Sequence, residues 1–175
     1  MNRRLVLFAL GSIAYLFMVQ MIFNSLRTDD LLFILAPSAK LVSFFGDYQM
    51  EWSDLDGFQI VGKNIRIEKS CSGFVYLGML YLLITYSFGK NWNYYKTKIH
   101  WVILSIPLAY IFVVVVNTAR IITGIGIETF SLQNTWFPNK LFHEFIGIIY
   151  FLFGMSAVYL LIDKPKLNLL KYGNS

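Results

Sequence analysis

The stretch IRIEKSCSGFVYLGMLYLLITYSF, residues 65–88, changes character partway along. Its first residues alternate Ile65 and Ile67 with charged neighbours, the period of a half-buried strand. Residues 73–88 carry no charge and read as a helix that enters a bilayer. The one cysteine of the chain, Cys71, stands at the change. A lone cysteine forms no internal disulfide. It is either a small buried hydrophobe or a reactive thiol.

Outward from this stretch, the same membrane signal recurs. The chain of 175 residues is 57% hydrophobic and 14% charged, against about a quarter charged in soluble domains. Residues 5–23, 101–117 and 145–162 are further apolar runs of roughly bilayer length. Arg3 and Arg4 precede the first, and no small-residue cleavage site follows it, so it reads as an uncleaved anchor. Pro107 kinks the 101–117 run rather than ending it. Residues 31–45 are apolar but short, and they contain Pro37 and Lys40; they read as an interfacial or re-entrant segment. Upstream of Cys71, residues 57–69 alternate on either side of Gly62-Lys63-Asn64, which predicts a short β-hairpin. The fold class is therefore an all-α polytopic membrane protein with four transmembrane helices, one membrane-embedded domain over 1–175, and a polar tail at 163–175.

Charge sets the orientation. With four spans and the N-terminus inside, the inner segments hold Arg3, Arg4, Lys90, Lys96, Lys98, Lys164, Lys166 and Lys171 but only one acid, Asp163. The remaining nine of ten acids lie outside. A fifth span at 31–45 would export loop 89–100 and the basic tail, against the positive-inside rule. The same rule accounts for the net charge of +5 without a nucleic-acid partner. Both termini are thus expected in the cytoplasm.

This arrangement puts three chemically capable residues at one depth, at the outer mouths of three helices: Cys71, Arg120 and His143. A thiol at a helix N-terminus faces a positive dipole end that favours thiolate. A histidine can serve as its base, and a guanidinium can stabilise an oxyanion. Taken singly, each has a plainer reading: an inert core thiol, an arginine reaching lipid phosphates, an interfacial histidine. Asn117 shares a helix face with Arg120 and is placed to orient the guanidinium. His100 falls on the inner side and takes no role. No spacing of His, Cys or acidic residues suggests a metal, and no glycine-rich loop suggests a phosphate cofactor.

The ordered motifs Glu68-Lys-Ser-Cys-Ser-Gly73, Asn117-Thr-Ala-Arg-Ile121 and His143-Glu-Phe-Ile-Gly147 resemble those of the exosortase/archaeosortase family, over residues 30–162. The chain looks like one of its short stand-alone members in Bacteroidota, with four spans where better-known members have about eight. The resemblance implies a cysteine transpeptidase of the bacterial inner membrane, active on its periplasmic side. Such an enzyme cleaves exported proteins at a C-terminal transmembrane sorting signal and hands them to an acceptor. It implies Cys71 as nucleophile, Arg120 as transition-state stabiliser and His143 as acid/base, with Glu68, Ser72, Gly73 and Asn117 as supporting motif residues. No cofactor is implied. A protease that releases its product to water, or a membrane scaffold without catalysis, are the other readings the residues allow; neither acceptor nor oligomeric state is read from them.

Overall fold

The computed structural model describes residues 3–54, 56–62, 65–89, 95–131 and 139–172. Five α-helices are present: α1 (Arg3–Ser25), α2 (Leu32–Gly46), α3 (Phe74–Gly89), α4 (Tyr95–Ser131) and α5 (Asn139–Tyr172). Four stretches are helical, long and apolar enough to cross a membrane: Phe8–Ser25, Lys69–Ser87 (the turn before α3 included), Val102–Ile127 and Phe145–Ile162. The chain is a helical membrane protein. Large apolar side chains cover the outside of these helices, among them Phe17, Ile111, Leu152 and Phe153, as expected where lipid is the solvent.

The third span differs from its sequence reading. Hydropathy ends it at Asn117, but α4 continues unbroken to Ser131. Its 37 residues amount to about 55 Å of helix, well beyond a hydrocarbon core of about 30 Å. Asn117 and Thr118 do not break it because both side chains find carbonyls: Asn117 that of Cys71, and Thr118 that of Val114, one turn back, at 2.7 Å. At the other end of the chain, helix α5 runs to Tyr172 where a polar tail is expected.

Two layers of core hang on α4. The first joins α3, α4 and α5 through Tyr76, Leu80, Ile84, Ala109, Val113 and Val158, with Ile34 of α2. The second surrounds the continuation of α4, where Ile121 and Ile125 meet Leu35 and Val42 of α2 and Ile60 and Ile67 of a small sheet. Segment 31–45 is thus a helix whose buried stripe docks on α4, while Phe44 and Phe45 remain exposed. Asp47 ends it in the left-handed conformation, φ 52°, with its N–H on the Ser43 carbonyl, a common helix stop.

The sheet is antiparallel and three-stranded: β1 (Met50–Ser53), β2 (Gly57–Ile60) and β3 (Arg66–Ile67), in that order. The expected hairpin is β2–β3, with Phe58 opposite Ile67; Lys63 and Asn64 of its turn lie outside the described residues. β1 is an addition, pairing Trp52 with Phe58, whose rings meet at 4.8 Å. Gly57 has φ 82°, and a side chain there would collide with the Ile67 carbonyl oxygen, so only glycine lets β2 and β3 close.

Candidate functional site

The chain leaves β3 and makes a single 3-10 turn, Lys69–Cys71, before α3. The turn is closed by the Cys71 N–H on the Glu68 carbonyl, 2.8 Å, and the Ser72 N–H on that of Lys69, 3.1 Å. Ser72 is fully buried and its hydroxyl accepts the Phe74 N–H at 3.3 Å, satisfying one of the orphan donors of a helix start. Lys69 ties the turn to α1: its ammonium donates to the carbonyls of Asn24 at 3.2 Å and Leu26 at 2.5 Å. It also lies 4.9 Å from the Phe23 ring centre. Basic groups suit a helix C-terminus, where carbonyls lack partners.

Gly73 sets how near α3 comes to α4. Its φ is 70°, and an added Cβ would stand 3.3 Å from Val113 Cγ1 and 3.6 Å from Asn117 Cγ. The absent side chain lets Asn117 reach the turn, where its Nδ2 donates to the Cys71 carbonyl at 2.6 Å. The sequence reading has Asn117 orienting Arg120. The structure instead turns its donor end to the cysteine's backbone and leaves Oδ1 without a partner.

Arg120 lies one turn further along α4 and is only 7% exposed. Its guanidinium carbon sits 5.4 Å from the ring centre of Phe151 on α5. Gly147 makes room for it: a Cβ there would be 3.7 Å from Arg120 Cδ. The Arg120 Nε has no hydrogen-bond partner. The ion pairs among the described residues, Arg27–Asp29 and Arg66–Asp56, lie elsewhere. So a buried cation rests on an aromatic face with a donor unused. Beyond it, Thr123 and Tyr150 share a hydrogen bond of 2.6 Å across the α4–α5 contact.

Cys71 itself is 6% exposed and belongs to the apolar cluster with Ile67, Ile121 and Ile125. Its Sγ lies 3.8 Å from the hydroxyl of Ser70, which donates to Glu68 Oε1 at 3.0 Å. His143 falls on α5 four residues before Gly147; its side chain lies outside the described residues. Cys71 and Asn117 are therefore in contact, Gly73 is their spacer, and Arg120 is linked to them through its helix. Phe151 was not singled out by sequence, while Lys69, Ser70 and Gly147 stood in quoted motifs without a role.

Among the described residues no three His, Cys, Asp or Glu side chains cluster as metal ligands. An apolar groove of about 690 Å³ is lined by Tyr15 of α1, Phe33 of α2, Phe74, Gly78 and Tyr81 of α3 and Tyr110 of α4. What fold and site together define is a four-span helical membrane protein in which an asparagine holds the backbone of the one cysteine, one turn before a buried arginine. Comparison with family models, with curated proteins and with solved structures returned no match.

Proposed function

We propose that the chain is a membrane-embedded cysteine transpeptidase or protease of the exosortase/archaeosortase kind. One observation carries the reading: Arg120 is buried with its Nε unpartnered among the described residues, one turn from the asparagine that grips the Cys71 backbone. A buried donor left without a partner costs about 1–3 kcal/mol. Intramembrane ionisable groups held this way mark functional sites. A site that must stabilise a developing oxyanion needs a donor kept free until then.

The positive-inside rule puts the sheet side outward, at the periplasmic face of the inner membrane, with both termini in the cytoplasm. The substrate is an exported protein with a C-terminal transmembrane sorting signal. The groove beside Phe74, three residues from Cys71, offers its helix an apolar bed. The Cys71 thiolate attacks the scissile carbonyl, forming the C–S bond while the oxyanion turns to Arg120. The intermediate collapses, the C–N bond breaks, and His143 gives its proton to the leaving amine. An incoming amine or water, deprotonated by His143, then attacks the thioester. The C–S bond breaks and the thiolate returns.

The test is processing in cells. Cys71→Ala and His143→Ala should leave uncleaved exported precursors in the membrane, with the enzyme itself still accumulating. Arg120→Lys should also fail, because a point charge does not replace a planar fork. Normal processing by Cys71→Ala would end the proposal. The burial of Cys71 among isoleucines favours a second reading, a scaffold with an inert thiol. That reading predicts no precursor build-up in any of the three variants.

A further inference from the structure

Two polar atoms of the site are left over: Asn117 Oδ1 and Arg120 Nε. Their residues are 0% and 7% exposed. They stand three apart on α4, so their Cβ atoms lie about 5–6 Å apart on one face. One atom accepts a hydrogen bond and the other donates. The amide of Asn117 cannot be turned around to relieve this, because its donor end is engaged by the Cys71 carbonyl at 2.6 Å. A buried acceptor and a buried donor without partners are both unfavourable. The guest that completes such a pair is one residue of extended main chain, whose own N–H and C=O point to the same side.

We infer that Asn117 is a substrate-positioning residue: Nδ2 fixes the carbonyl of the nucleophile's own residue, and Oδ1 accepts a main-chain N–H of the bound polypeptide. Arg120 faces the adjoining carbonyl. The inference rests on the reading of Cys71 as nucleophile. One side chain thereby sets both reacting partners to a common reference, the α4 backbone. Recognition through the main chain tolerates many side chains but rejects a residue without an N–H, so the substrate position held by Asn117 excludes proline. Both atoms are covered, so the guest reaches them by displacing what lies over the turn.

The single cysteine makes the test direct. The full chain in nanodiscs is reacted with N-acetyl-alanyl chloromethyl ketone and with its ester counterpart, in which oxygen replaces the N–H. Intact mass reports alkylation of Cys71. Methyl methanethiosulfonate, which carries no amide, measures how reachable the thiol is in each variant. The wild type should react about tenfold faster with the amide than with the ester, the size of one hydrogen bond. Asn117→Ala should bring the ratio near one. Equal rates in the wild type, or a preference that survives in Asn117→Ala, overturn the inference. So does a thiol that reacts with the methanethiosulfonate and with neither ketone, and that result leaves the nucleophile reading standing. A thiol that reacts with nothing in the folded protein removes the nucleophile reading, and the inference with it.

Discussion

Replacing Arg120 with methionine should leave a protein that is more stable and inactive. The side chain is buried, its Nε has no partner among the described residues, and it lies against the Phe151 ring and Gly147. An unsatisfied buried donor costs about 1–3 kcal/mol. Exchanging buried charge for apolar atoms of similar volume is worth about 1–4 kcal/mol where geometry is not ideal. Against this stands the loss of a cation–π contact of about 1–2 kcal/mol. Methionine fills a similar length and packs well against an aromatic edge. The net is a gain of about 1–2 kcal/mol, the usual sign when a strained functional group is removed. Reversible unfolding of wild type and Arg120→Met in the same mixed micelles measures it, with precursor processing followed in parallel. A loss of more than about 1 kcal/mol would refute the reasoning, because it would mean that the guanidinium is held by partners that stabilise it.

Other substitutions test the supports. Gly73→Ala forces a side chain into left-handed backbone, about 1–2 kcal/mol, and presses on Val113; thermal unfolding should fall and processing should be lost. Gly154→Ala places a methyl group on the Tyr76 hydroxyl and 3.0 Å from Val116 Cγ2. Overpacking of about 1–3 kcal/mol should appear as a lower unfolding midpoint. Lys69→Met strands the Asn24 and Leu26 carbonyls and should free the end of α1, read as faster proteolysis near residues 24–28. Cys71→Ser should abolish processing and, by placing a hydroxyl in the apolar cluster, lower stability by about 1–3 kcal/mol.

Much of this architecture was legible because apolar runs without charge have few other fates. The four spans follow from that, and the β2–β3 hairpin follows from alternation around Gly62. The end of α4 was not legible. Asn117, Thr118 and Arg120 look like the polar edge of a span, yet each is absorbed by a partner that hydropathy does not register. Those partners are a carbonyl 46 positions away in sequence, a carbonyl one turn back, and a ring on α5. β1 also escaped notice, since a strand of four residues is defined by what it pairs with. The 31–45 segment was ambiguous because its helix, with Pro37 inside, makes sense only when docked on the far half of α4. For the site, residue types were readable and connections were not. The sequence puts Asn117 beside Arg120, but it holds no sign that Gly73 opens a path from Asn117 to the Cys71 carbonyl.

The most direct measurement is the side and reactivity of the single thiol. Intact cells would be treated with a small, charged, membrane-impermeant methanethiosulfonate, with Cys71→Ala as the blank. The account predicts modification of Cys71 from outside, before any permeabilisation, and loss of precursor processing in step with it. Modification only after the membrane is opened, or full processing by protein whose thiol is blocked, would contradict it.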